Sequence, residues 1–381
     1  MRILHTSDIH LRGAGTPSGK RRLAVLEEIC SLTADCRALI IAGDLFDSSR
    51  EGKGFETRLR SLFTALSPCK IFIIPGNHDT LGGENPLETL DIGQDRNVRV
   101  MAQTPYDVCE ADGVKFYGFP FQRSKTTTEL LKDFTSQNKL ENRVAIMHGT
   151  PLDRPELAGY SYAPENREEG GELLIRNSDL REAGFNYVAL GHIHRHDRWT
   201  VGNSLVSYSG SPDAVRVSET EPRAVNIVTL DEKTGEATIL REPLQSARAA
   251  ITKTFFTFPG EEERVFETAL SFLRDSGAKT RPVAVIEGLA DGNALRRLKD
   301  LAEVREPLLA QGLAELRLKT EDASATKAEM INYSFLRKMH SLSETADTPQ
   351  RRDMLRRCMA LGWRALNGKS LEPADILGDQ Q

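Results

Sequence analysis

Cysteine is scarce in this sequence and shows no pairing pattern: five residues, Cys30, Cys36, Cys69, Cys109 and Cys358, are scattered over 381 positions with no Cys-x-x-Cys spacing. An odd, dispersed set excludes a disulfide framework and a thiolate zinc site, and predicts reduced thiols in a cytoplasmic protein. Long apolar runs are missing too. Nothing approaches the roughly 20 residues that cross a bilayer, and Met1 to Asp8 holds too short an apolar run for a secretory signal, so no membrane partner is expected. A basic excess is also absent, since 50 Lys and Arg against 55 Asp and Glu leave a net charge of −5. That excludes a global cationic footprint for nucleic acid, though not a local positive field where metal ions sit in a cleft. Histidine numbers only eight, yet three alternate in GHIHRH at 191–196.

What is present is enough for a large core: 39% of the chain is apolar, and its length suits two or three domains. The first two thirds alternate β-rich runs with amphipathic stretches. Strands are expected over Arg2 to Thr6, Ala38 to Ala42, Ile71 to Ile74, Val114 to Phe119, Val144 to Met147, Tyr187 to Leu190 and Ala224 to Leu230. A helix is expected over Lys20 to Leu32, with Leu23, Leu26 and Ile29 on one face, and a long surface loop over Ala158 to Glu172. This is an α/β (α+β) pattern of helices on a layered β core, occupying 1–248. From 249 to 320 the runs KTFFTF, EEERVFETALSFLRDSGA, RPVAVIEGL, NALRRLKDLAEV and LAELRLKT read β-α-β-α-β, a small second domain. The remaining 321–381 form a helical tail with apolar stripes Met330, Ile331, Phe335, Leu336, Met339 and Met354, Leu355, Met359, Trp363. Those stripes either pack on their own domain or serve a partner.

Polar residues follow the strands directly, in five ordered blocks: SDIH (7–10), GDLFD (43–47), GNHD (76–79), MHG (147–149) and GHIH (191–194). Strand ends are where α/β sheets gather ligands. The blocks supply Asp8, His10, Asp44, Asn77, His148, His192 and His194, an oxygen and nitrogen donor set for two borderline divalent cations such as manganese, iron or zinc. Asp8 and His10, two residues apart, can face one ion; Asp44 after Gly43 can lie between two; His192 and His194 can serve one ion each, leaving His196 outside. Such a pair would lower the pKa of a bridging water to give a hydroxide nucleophile, and the summed charge, roughly plus one, would attract a phosphodiester. His78 is the candidate general acid, with Asp79 orienting it. Arg12, Lys20, Arg21 and Arg22 either meet a phosphate backbone or simply begin a solvated helix.

The five blocks in this order resemble the signature of the calcineurin-like metallophosphoesterase superfamily. ILHTSDIHL, GFNYVALGHIH and YSGSPDAVRVSETEPRAVNIVTL are similar to segments of SbcD-type DNA double-strand-break repair nucleases. The resemblance implies a four-layer metallophosphoesterase β-sandwich flanked by helices, with the second domain as a capping domain that contacts duplex DNA. It implies that Asp8, His10, Asp44 and His194 hold one metal, that Asp44, Asn77, His148 and His192 hold the other, and that His78 is catalytic. It also implies manganese dependence, exonuclease action at DNA ends with endonuclease cutting of single strands, and homodimers working with an SMC-like coiled-coil ATPase of the SbcC type, docked by the tail. The Ser209-Gly210-Ser211-Pro212 block favours a nuclease, with Ser209, Ser211 and Arg12 as candidate substrate contacts. Asp47 departs from the pattern, standing where some relatives carry a further histidine, so that histidine's role does not carry over.

The cluster does not by itself choose a substrate. A phosphatase or a small-molecule or cyclic-nucleotide phosphodiesterase on the same scaffold stays open, as does a non-catalytic, metal-organised partner of the ATPase, against which an intact His78 argues.

Overall fold

The computed structural model describes residues 1–80, 97–132, 141–160, 171–276, 280–322 and 331–366, with Leu87, Phe134 and Gly368. The chain divides into two compact units, Met1–Ala250 and Ile251–Gln381, the tail helices belonging to the second. The expected surface loop falls mostly on 161–170, outside the described residues, as does Met330 of the first tail stripe. No helix among the described residues is long and apolar enough to cross a membrane.

Two six-stranded sheets build the first unit. In one, β1 (Arg2–Thr6), β2 (Ala38–Ala42), β3 (Lys70–Ile74) and β4 (Val98–Val100) run parallel, and β13 (Ala224–Leu230) and β14 (Ala237–Pro243) add antiparallel beyond β1. In the other, β6 (Val114–Phe119), β7 (Asn142–His148), β10 (Tyr187–Gly191) and β12 (Ser204–Tyr208) run parallel, edged antiparallel by β5 (Asp107–Ala111) and β11 (Asp197–Val201). A short parallel pair, β8 (Thr150–Pro151) and β9 (Leu174–Ile175), lies apart.

The strand period of two decides how the layers form. Along β2, Ala38, Ile40 and Ala42 join Val144, Ile146, Tyr187 and Ala189 of the other sheet in a core between the sheets. Leu39 and Ile41 point the opposite way, into a core with Val25, Leu26 and Ile29 of α1 (Pro17–Ser31) and Leu59 and Phe63 of α2 (Glu56–Thr64). On the second sheet, Ala145, Met147, Val188 and Leu190 meet Leu180 and Ala183 of the helix Asn177–Ala183. Two sheets face to face with helices outside both give four layers. Because both faces are buried, β2 reads ALIIA without alternation, and each such Leu or Ile contributes about 1.5–3 kcal/mol.

Helix α1 starts three residues before the expected Lys20, for a local reason. The Thr16 side chain accepts from Gly19 N at 3.0 Å and Pro17 occupies the first turn, where its missing N–H costs nothing. β4, β5, β8, β9, β11, β12 and β14 were not expected from the sequence. β4, β5, β11 and β14 are sheet-edge strands whose charged residues interrupt the apolar pattern, as in Asp197-Arg198-Trp199-Thr200-Val201, whereas β12 is interior.

In the second unit, β15 (Ala249–Thr257), β16 (Thr280–Ala290) and β17 (Glu315–Asp322) form a three-stranded sheet in that order. Helices Glu262–Asp275 and Gly292–Arg305 join these strands, the expected β-α-β-α-β succession. The tail helices Ile331–Glu344 and Pro349–Leu366 bring Leu336, Met359 and Trp363 against Phe258 and Leu289. At least part of the tail's apolar stripes therefore packs on its own unit.

Candidate metal centre

The carboxyl ends of β1, β2 and β3 in one sheet and of β7 and β10 in the other carry all seven candidate ligands. Each follows or ends its strand: Asp8 and His10 after β1, Asp44 after β2, Asn77 after β3, His148 at the end of β7, His192 and His194 after β10. Six are buried, none more than 4% exposed, and Asn77 is half-buried. The chain reaches this geometry through unusual backbone. Among the described residues, six other than glycine have positive φ, and four of them are Asp8 (54°), His10 (51°), Asp44 (52°) and His192 (95°). Left-handed backbone costs energy at such residues and persists where surrounding structure imposes it, typically at functional sites. Gly43, with φ of 87°, passes so close to the His148 ring that any Cβ would overlap it.

Asp44 is central. Its Oδ1 accepts the His78 backbone N–H at 2.8 Å, while Oδ2 lies 3.4 Å from His148 Nε2 and 3.7 Å from His10 Nε2. On the His10 side, His10 Nε2 and His194 Nε2 are 3.1 Å apart, and Asp8 Oδ1 is 3.7 Å from His194 Nε2. On the His148 side, Asn77 Oδ1 lies 2.9 Å from His148 Nε2 and 3.1 Å from His192 Nδ1. The seven residues thus form two groups sharing one carboxylate oxygen.

This arrangement fits cations. His148 Nδ1 lies 2.9 Å from the Ala42 carbonyl, to which its N–H donates, so Nε2 is the nitrogen that faces the oxygens of Asn77 and Asp44. A positive charge belongs among these atoms, either the proton on Nε2 or a cation. His10 and His194 likewise turn their Nε2 atoms on each other. His192 turns its Nδ1 to the same Asn77 oxygen as His148 Nε2, and its Nε2 lies 3.8 Å from Glu172. Donors are nitrogen and oxygen throughout, the set that borderline divalent ions accept.

The same electrostatics shift the titrating groups. Burial alone would lower His148, but the Asp44 carboxylate overcomes it and raises the imidazole to about 9. Burial would raise Asp44, and His148, His78 and His10 instead hold it well below the usual carboxylate range. Burial drives His10 down to about 4 despite Asp47 and Asp44. Asp79, desolvated and close to the Asp44 charge, is pushed up to about 7.

Several expected roles are corrected. Asp79 does not orient His78: its oxygens accept from the backbone N–H groups of Gly76 (2.9 Å), Phe46 (2.9 Å) and Leu45 (3.3 Å), stapling the Gly76 and Leu45-Phe46 segments together. The Asp47 carbonyl oxygen holds His78 instead, 3.0 Å from Nδ1. Ser209 and Ser211, expected on substrate, are buried and turned inward. Ser209 Oγ meets Ser7 Oγ at 2.9 Å, and Ser7 donates to Asp8; Ser211 donates to Glu219, which meets His194. Both support the cluster from behind. Arg22 is buried, donating to the carbonyls of Ile9 and His10, and Arg21 is held by Asp213 and Ser246, so neither presents itself to a phosphate chain. Arg12 is 3.4 Å from Asp47 and partly exposed. His196 bonds the Tyr208 carbonyl and stays outside the cluster. Ser7 and Glu219 went unmarked in the sequence; Glu219 sits 25 residues beyond His194, and nothing local announces it.

Comparison with known proteins identifies the family. Residues 1–196 match the family model described as calcineurin-like phosphoesterase. The SbcD component of the SbcCD nuclease of Bacillus subtilis strain 168 is 30% identical over 287 residues, covering 66% of this chain and 72% of that protein. The uncharacterized metallophosphoesterase YhaO of the same strain is 26% identical over 306 residues, covering 77% of this chain and 71% of that protein. The DNA double-strand break repair protein Mre11 of Methanosarcina mazei is 28% identical over 363 residues, covering 88% of this chain and 52% of that protein. The chain therefore belongs to the calcineurin-like phosphoesterase family and, within it, to the SbcD-type group.

Proposed function

We propose that this chain is a dinuclear-metal phosphodiesterase that hydrolyses DNA in double-strand-break repair, acting as an exonuclease at ends and cutting single strands. The observation that carries the reading is Asp44 Oδ2, placed between His148 Nε2 at 3.4 Å and His10 Nε2 at 3.7 Å. Asp8, His10, Asp44 and His194 would hold one divalent ion, and Asp44, Asn77, His148 and His192 the other; manganese is preferred by likeness to the family, with iron or zinc compatible with the donors. Two such ions supply an activated water and neutralise the phosphate.

The remaining chemistry is the protein's own. His78, anchored at Nδ1 by the Asp47 carbonyl, carries a proton at Nε2 to the departing sugar oxygen. The buried walls keep bulk water from the cluster and strengthen each charge interaction inside it. Asp79 and Gly76 fix the loop that carries His78. Residues 249–320 are read as a capping domain for duplex DNA, and the chain as a cytoplasmic homodimer that partners an SMC-like ATPase through its tail, 321–381, by likeness to the SbcD and Mre11 relatives.

The test is digestion of end-labelled duplex and single-stranded DNA with added manganese, beside a small chromogenic phosphodiester. Metal-dependent release of nucleotides from the DNA supports the reading. Turnover of the small diester without any action on DNA assigns the site to another phosphoesterase.

A further inference from the structure

Each of the two imidazoles whose Nε2 atoms meet has a carboxylate beside its Nδ1. Nδ1 of His194 lies 2.8 Å from Glu219 Oε1, and Nδ1 of His10 lies 3.2 Å from Asp47 Oδ1. The imidazoles on the other side of Asp44 are backed differently. His148 places its outward Nδ1 against the neutral carbonyl of Ala42 at 2.9 Å, and His192, whose Nδ1 faces the cation position beside Asn77, has its outward Nε2 3.8 Å from Glu172, beyond hydrogen-bond reach. Glu219 is itself a built feature. It is 7% exposed, and besides His194 its oxygens accept from Ser211 Oγ (2.7 Å), Val215 N (3.0 Å) and Arg216 N (3.1 Å). Ser211 belongs to the same short block as Ser209, which reaches Asp8 through Ser7.

We infer that Glu219 and Asp47 are positioning residues that make the Asp8, His10, Asp44 and His194 position the tighter of the two cation positions. The inference rests on the dinuclear reading above. Glu219, accepting the His194 Nδ1 proton, fixes the tautomer with its lone pair on Nε2, and its charge makes that nitrogen a stronger donor; Asp47, whose contact with His10 Nδ1 lacks hydrogen-bond geometry, acts on His10 through its charge. A neutral carbonyl fixes the tautomer but lends no charge. Carboxylates within 2.8–3.2 Å of both outward nitrogens on one side, against a neutral carbonyl and a carboxylate 3.8 Å away on the other, give the pair of positions unequal affinity. Asp47, which departs from the family pattern, acquires a role here through its side chain as well as its carbonyl.

Equilibrium dialysis of the full chain against manganese, with electron paramagnetic resonance of the bound ion, tests this. The unaltered chain takes up two ions in two steps. Glu219→Gln and Asp47→Asn each weaken the tighter step roughly 10- to 100-fold and leave the other unchanged. Asn77→Ala removes the weaker step, and adding Asp47→Asn to it weakens what remains. Folding of each variant is followed by circular dichroism. An amide nitrogen at Glu219 would meet the Val215 or Arg216 N–H, so Asp47→Asn, whose parent side chain is 20% exposed, is the independent arm. If neither variant shifts a step, or if the weaker step shifts instead, the inference is overturned while two bound ions keep the dinuclear reading. If the unaltered chain binds fewer than two ions, the dinuclear reading fails and takes the inference with it.

Discussion

The Nδ1 nitrogen of His78 lies 3.0 Å from the main-chain carbonyl oxygen of Asp47, and this contact, made by backbone, sets the imidazole beside the cluster independently of the Asp47 carboxylate. His78 and Asp44 can therefore be separated by experiment. His78→Ala is expected to keep both ions and lose roughly 10²–10⁴-fold in DNA cleavage, the usual contribution of a positioned acid. Asp44→Ala is expected to lose cleavage together with metal. Cleavage rates and bound manganese measured on the same preparations check the pair; near-normal cleavage by His78→Ala would remove the proposed acid.

Glu28 on α1 ties the end of the first unit back to its helical layer, accepting from Gln245 N (2.7 Å), Ser246 N (2.8 Å) and the Ser246 hydroxyl. Burial would raise its pKa, but these donors lower it below the ordinary 4.5. A depressed carboxyl contributes stability above its unfolded pKa and loses it as pH falls through the folded one. Glu28→Gln should thus cost ~1 kcal/mol at pH 7, modest because the site is partly solvated, with the gap closing in acid below the ordinary value. Urea unfolding of both proteins at neutral and acid pH decides it; an equal gap at both would contradict the assignment.

The second unit offers a packing test. Trp363 is 1% exposed and lies with Met359 and Leu336 against Phe258 and Leu289. Trp363→Ala should destabilise that unit by about 3–5 kcal/mol, seen as a thermal transition at lower temperature. Cutting the chain after Lys319 is a poor probe of partner binding, because it removes these helices and the last residues of β17. Exposed Met354, at 55% accessibility, is the better place to perturb the proposed ATPase contact.

Thiol reactivity checks the cysteine reading. Burial pushes Cys30 and Cys69 up to about 12, and Cys36 is buried as well, whereas Cys358 is exposed. Native protein should show Cys358 as its fastest thiol toward an aromatic disulfide reagent, and Cys358→Ser should abolish that phase. A phase surviving the substitution belongs to half-buried Cys109 unless Cys109→Ser leaves it in place, in which case the core opens.

Much of the site was legible because its donors follow strands directly. A polar residue straight after ALIIA or YVALG stands at a sheet end, where chain direction brings separate strands together. Asp79 and Ser211 were misjudged because proximity in sequence does not say which way a side chain turns; both meet backbone or carboxylate partners that only the fold supplies. Glu219 was invisible for the same reason, its partner lying on another segment. The edge strands were hidden by charges that protect an open edge, and the start of α1 by Pro17, which favours a first turn and forbids a later one.

The most direct test of the central claim is anomalous diffraction at the manganese edge from crystals of the full chain grown with the metal. Two peaks flanking Asp44, about 3.5–4 Å apart, one beside His10 and His194 and the other beside His148 and His192, are predicted. A single peak, or peaks away from Asp44, would contradict it.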